Sequence, residues 1–175
     1  MPDTALLIID VQNAVVKGAW REAETLALIA DLAARARAAA VPVLYLQHTD
    51  PAEANLNHGT DGWQIHPAVA PAAGETVVEK TACDGFYATP LKAELSQLEV
   101  SRLVICGAVT EYCVDSTARA ALSAGFDVTL AADGHMTADS VMPAEKTIAH
   151  TNRTLGWLAH PDHKVTVTPA AEIVF

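Results

Sequence analysis

Short apolar runs, each closed by a charged or turn-forming residue, recur along the chain and alternate with longer alanine- and leucine-rich stretches. Ala5 to Ile9 is a continuous apolar run ending at Asp10, which predicts a strand buried on both faces with a carboxylate at its C-terminal tip. Val11 to Ala19 reads as loop, and Arg21 to Ala40 as a helix stopped by Val41-Pro42. Val43 to Gln47 predicts a second strand. Thr76 to Glu79 predicts a third, with Lys80 at its tip. Gly85 to Thr89 reads as a turn, and Pro90 suits the first turn of a helix reaching Leu98. Leu103 to Cys106 predicts a fourth strand, broken by Gly107. Val114 to Ala124 predicts a helix halted at Gly125. A fifth strand over Asp127 to Ala132, a helix over Met142 to Leu158 and a short sixth strand over Val165 to Val167 complete the pattern. The tail to Phe175 has no clear period.

Strands alternating with helices imply βαβ units. The expected fold is therefore α/β: one domain over residues 1–175, a three-layer, doubly wound, mainly parallel sheet of about six strands with helices on both faces. Ligands of such sheets bind outside the carboxyl ends of the strands. Asp10, Lys80 and Cys113 all lie at or just past such ends, so the topology would bring them to one rim. The stretch from His48 to Gly74 breaks the rhythm, with three glycines, three prolines, Trp63 and three histidines. It is too long for an idle connection and is expected to be a functional loop.

Composition narrows the partners. Acidic residues number 21 against 11 basic ones, a net charge of -10, which argues against nucleic acid or an anionic membrane and leaves a small-molecule substrate. Three cysteines without a C-x-x-C suggest neither a disulfide frame nor a zinc knuckle, and fit a reducing compartment. The N-terminus lacks the basic region of a signal peptide, so a soluble, cytoplasmic protein is expected. Asn152-Arg153-Thr154 matches a glycosylation acceptor by chance on that reading.

Taken singly, Cys113 reads as a small core residue, Asp10 as a cap and Lys80 as a solvated lysine. Taken together they point to chemistry. Cys113 stands where a strand end becomes a helix start, and the helix dipole there favours a thiolate. A free thiol has a reference pKa of roughly 8.5, so a carboxylate to take its proton and an ammonium to hold both anions would activate it. Backbone N–H groups around Val109 and Cys113 would meet the oxyanion of an attacked carbonyl. Every ingredient of amide hydrolysis is present without a cofactor. Gln12, His48, Trp63, Phe86 and Tyr112 are candidates to touch substrate. Cys83 and Cys106 read as structural.

The segments LLIIDVQN, EKTACDGFYATPL and LVICGAVTEYCVDSTARAALSAGFDV closely resemble the isochorismatase-like cysteine hydrolases, a superfamily that includes nicotinamidases and carbamoyl-amide hydrolases. The resemblance implies Asp10 as general base, Lys80 as charge partner and Cys113 as nucleophile. It also implies a cis peptide between Ala108 and Val109, a six-stranded parallel sheet, and a homo-oligomer, commonly a dimer or tetramer. Metal-binding nicotinamidases carry an Asp-x-His pair after the second strand. Here that stretch reads Gln47-His48-Thr49-Asp50, in reversed order, so neither a metal at His58 and His66 nor nicotinamide as substrate is expected. The expected activity is hydrolysis of a small amide, imide or carbamoyl compound. A vinyl-ether hydrolase and a silent binding or assembly module are the alternatives.

Overall fold

A computed structural model describes residues 3–175. Six strands form one parallel sheet in the order β3-β2-β1-β4-β5-β6: β1 (Thr4–Ile9), β2 (Val43–His48), β3 (Thr76–Lys80), β4 (Arg102–Ala108), β5 (Asp127–Met136) and β6 (Val165–Thr168). β1 lies at the centre, paired with β2 on one side and β4 on the other. Ala5 to Ile9 are 0% exposed, which is why the run is apolar without alternation.

Helices cover both faces. The long α2 (Glu22–Ala38) follows the single-turn α1 (Asn13–Val16) and lays Leu26, Ile29, Leu32, Ala33 and Ala36 against Leu6, Ile8, Tyr45 and Val104. On the other face α3 (Leu91–Gln97), α4 (Asp115–Ser123) and α5 (Ala144–Leu155) contribute Leu91, Leu95, Ala118, Ala121, Leu122 and Leu155 against Leu7, Ile9, Leu44, Leu46 and Ile105. No helix among the described residues is long and apolar enough to cross a membrane.

The chain leaves β1 towards β2 and β3, then crosses back to β4 on the other side of β1. The strand order reverses between β1 and β4, and a crevice opens at the carboxyl ends of strands at such a point. Gly107 makes the junction possible. Its φ is +128°, and a Cβ there would stand 2.1 Å from the Ile9 carbonyl oxygen.

Several elements depart from the sequence pattern: β4 continues through Gly107 to Ala108, and the helical turn α1 stands where a loop was expected. Between β4 and α4 the residues Thr110–Val114 form a π-helical turn, so α4 begins at Asp115 rather than Val114. β5 runs to Met136 instead of Ala132. Its register against β4 shifts between Ile105 and Gly107, and the slack is taken up by the small and polar Ala132-Asp133-Gly134. α5 is shorter than the predicted Met142 to Leu158. The tail ends in a 3₁₀ turn, Ala170–Glu172, held to α2 by Arg35, which donates to the carbonyls of Ala170 and Ile173 at 2.6 Å each.

Candidate active site

Asp10 caps β1 in the left-handed region, φ +48°, a conformation that aspartate tolerates better than most side chains. Its amide donates to Leu46 O, and its carbonyl accepts from Gln12 N at 2.8 Å. The chain thereby turns sharply, leaving the Asp10 carboxylate at the rim and 1% exposed. Lys80 ends β3 opposite His48 and is 2% exposed. Cys113 sits in the π-helical turn, where Tyr112 N and Val114 N both donate to Val109 O. The peptide between Ala108 and Val109 is cis, as the resemblance implied.

These elements bring three side chains together. Lys80 Nζ is 2.6 Å from Asp10 Oδ2 and donates to Cys113 Sγ at 3.3 Å and to Ala82 O at 3.0 Å. The Lys80–Asp10 contact is short but poorly aligned for a hydrogen bond. It acts as an ion pair, and both buried Asp10 oxygens are left without an aligned hydrogen-bond donor among the described residues. His48 Nδ1 lies 3.4 Å from Lys80 Nζ.

Among the described residues, Asp10, His48 and Cys113 each present a ligating atom within 4.8 Å of the other two, a spacing that a shared cation would need. The Lys80 ammonium already stands among them. His58 instead faces Glu79 at 3.3 Å and stacks on Trp63. His66 Nδ1 accepts from Ala68 N and is not part of that group.

The electrostatics correct one expectation. Burial pushes the Cys113 thiol up, the Asp10 carboxylate pushes it further, and Lys80 pulls it down by less. The net direction is up, so the resting sulfur keeps its proton, and the helix end does not by itself yield a thiolate. Burial pulls the Lys80 ammonium down, but the net direction is up, chiefly through the Asp10 carboxylate beside it, and the amine stays charged. Burial and then Lys80 hold His48 below its usual value, so its ring is neutral near pH 7. With Nδ1 turned to an ammonium, the His48 proton belongs on Nε2.

The proposed substrate contacts fare unequally. Gln12 is 0% exposed and has no free polar group. Its Nε2 donates to the carbonyls of His48 and Trp63 at 2.9 and 2.8 Å, and its Oε1 accepts from His48 N at 2.7 Å. It ties the long loop to the rim, which corrects its reading as a substrate contact. Trp63 anchors the same loop, donating from Nε1 to Thr49 Oγ1 at 2.8 Å, and is 8% exposed. Phe86 is half-buried and packs against Phe126 at 5.9 Å. Tyr112 is exposed beside Cys113. Of the remaining cysteines, Cys106 is buried and Cys83 exposed.

A buried chain of polar groups escaped the sequence reading. His135, 1% exposed on β5, meets Thr110 Oγ1 at 3.0 Å through Nδ1 and Asn152 Oδ1 at 2.9 Å through Nε2. His135 lies beyond the predicted end of the fifth strand, and Asn152 read only as a chance sequon. A polar histidine between Gly134 and Met136, continuing an apolar strand, was the one available signal.

Comparison with known proteins agrees with the fold. Residues 4–159 match the isochorismatase domain. Two streptothricin hydrolases of Streptomyces noursei are each 42% identical, over 155 and 151 residues that cover 86% and 84% of this chain. The matches cover 60% and 54% of those relatives, so the chain spans little more than half their length. The ureidoacrylate amidohydrolase RutB of Methylobacterium radiotolerans is 29% identical over 195 residues, covering 89% of this chain and 76% of its own. Among solved structures, N-carbamoylsarcosine amidase from Thermoplasma acidophilum superposes with a TM-score of 0.79 at 26% identity, covering 97% of this chain and 98% of that one.

Proposed function

The chain belongs to the isochorismatase family of hydrolases, and we propose that it is a cysteine-dependent amidohydrolase of a small amide, imide or carbamoyl compound. The observation that carries this reading is the meeting of a buried carboxylate, ammonium and thiol at the strand-order reversal. Relatives that hydrolyse amide-type C–N bonds support the reaction class.

The resting thiol suits general-base activation. As Cys113 Sγ attacks the carbonyl carbon, its proton passes to Asp10. Lys80 stays charged and holds the carboxylate and the sulfur in register. The oxyanion gathers at the N–H groups of Val109 and Cys113, each such donor contributing about 3 kcal/mol to the barrier reduction. Collapse breaks the C–N bond, Asp10 returns the proton to the leaving nitrogen, and a thioester remains on Cys113. Water then attacks the thioester carbon with Asp10 again taking the proton, and the sulfur leaves to be reprotonated. His48, neutral and half-buried, offers its Nε2–H to a substrate acceptor beside the thiol.

Ammonia release over a panel of amides, imides and carbamoyl compounds tests the proposal, with mass spectrometry of the quenched protein. An acyl adduct on Cys113 is expected, and Cys113→Ala should lower turnover by on the order of 10⁴-fold or more. Full turnover in Cys113→Ala, with Asp10→Ala inactive, would favour vinyl-ether hydrolysis. No ammonia and no adduct with any compound would leave a binding module.

A further inference from the structure

The structure assigns His135 a positioning role: braced by Asn152, it takes the Thr110 hydroxyl as its hydrogen-bond donor and so fixes the turn that carries Cys113. The assignment rests on the reading of Cys113 as nucleophile.

The direction of every bond in this chain follows from its far end. Asn152 Nδ2 donates to Ala132 O at 2.8 Å, which settles which amide atom is which and turns Asn152 Oδ1 towards His135. Oδ1 can only accept, so His135 Nε2 carries the hydrogen. In the neutral ring Nδ1 is then a bare acceptor, and Thr110 Oγ1, 3.0 Å away, must donate to it. Burial holds the ring neutral, pulling it below the usual histidine value. The chain runs from helix α5 through the sheet into the first residue of the π-helical turn.

That residue is the one the turn hangs from. Thr110 is 0% exposed and directly follows Val109, whose carbonyl accepts the amides of both Tyr112 and Val114. π-helical turns are rare and recur at functional sites. Here the wide turn has its root pinned by a side-chain bond from outside. His135 is held in turn by pairing opposite Gly107, next to the residue where β4 ends. No other side-chain hydrogen bond to Thr110 is seen among the described residues. If the pin is lost, the amides of Val109 and Cys113 and the sulfur shift relative to Asp10, and misplacement by about 1 Å costs roughly 10²-fold in rate.

Three substitutions separate positioning from mere packing. The Oδ1 of His135→Asn stands near the native Nδ1 and keeps an acceptor for Thr110. The amide nitrogen of His135→Gln reaches towards Asn152 but leaves Thr110 without its acceptor. Thr110→Val keeps the volume and removes the hydroxyl. Turnover and alkylation of Cys113 by iodoacetamide at alkaline pH are both read, the second needing no substrate. His135→Asn is expected to keep both rates within about threefold. His135→Gln and Thr110→Val should lose 10- to 100-fold in kcat and in alkylation rate with KM nearly unchanged. Loss of stability alone would lower the folded fraction but not the rate per folded molecule.

Native rates in folded Thr110→Val, or equal losses in His135→Asn and His135→Gln, would overturn the assignment. Full turnover in Cys113→Ala would instead remove the nucleophile reading. The alkylation rates would still decide whether His135 holds the turn.

Discussion

Replacing Gly107 with alanine tests the junction between the two central strands. The backbone at Gly107 has φ +128°, and an added Cβ would lie 2.1, 2.7 and 2.8 Å from Ile9 O, N and C. All three atoms belong to the main chain of β1, whose flanking residues are fully buried, so no flexible side chain can move aside. Holding a non-glycine residue in that conformation costs about 1–3 kcal/mol. Overpacking a well-filled core adds about 1–3 kcal/mol. The sum is about 4 kcal/mol, which for a domain of this size lowers Tm by roughly 8–16 °C. Relief requires β1 and β4 to part at the level of Ile9, immediately before Asp10. Turnover per folded molecule should fall by about 10²-fold. Urea unfolding followed by circular dichroism gives the stability change, and kcat corrected for the folded fraction gives the activity change. A loss below about 1 kcal/mol with native turnover would refute the reasoning, because it would mean that the strands do not approach as closely as described.

Two further outcomes follow from the buried titrating groups. Because burial and Asp10 push the Cys113 thiol up, its alkylation by iodoacetamide should still be rising with pH above about 9; a plateau reached by pH 7 would show a resting thiolate instead. His135 and His48 are both held below 6.5 in the fold, so the unfolded chain binds protons first and stability should fall as the pH drops below about 6.5. The share from His135 approaches about 1.4 kcal/mol per pH unit, is measured by urea unfolding across pH 5 to 7, and should vanish in His135→Asn; an unchanged slope in that variant would contradict it.

Much of the fold could be read because β1 and β4 are buried on both faces, which forces uninterrupted apolar runs that end abruptly at functional groups. Asp10 was legible because it stands where the β1 run stops, whereas Lys80 and Cys113 were legible only beside it, as residues at or just past the carboxyl ends of parallel strands. The π-helical turn was not legible, since Thr110 to Val114 carries no period that separates it from an α-helix. The continuation of β5 was hidden by Ala132-Asp133-Gly134, residues that also write turns. Gln12 and His135 were misjudged or missed for a common reason. Their partners are main-chain atoms or residues remote in sequence, and hydrogen bonds of that kind leave no local pattern. The rise of the Cys113 thiol was missed because a helix terminus is visible in sequence, whereas the burial that opposes it is not.

The Gln12 side chain gathers the main chain of both His48 and Trp63, and Gln47 and Thr49 hold Trp63 as well, so the two ends of the excursion are clasped together at the rim. What lies beyond that knot, from Asp50 to Asp61, can change in length and chemistry while the acid at the end of β1 stays still. Insertions or substitutions there are expected to leave the Asp10, Lys80 and Cys113 side chains where they stand.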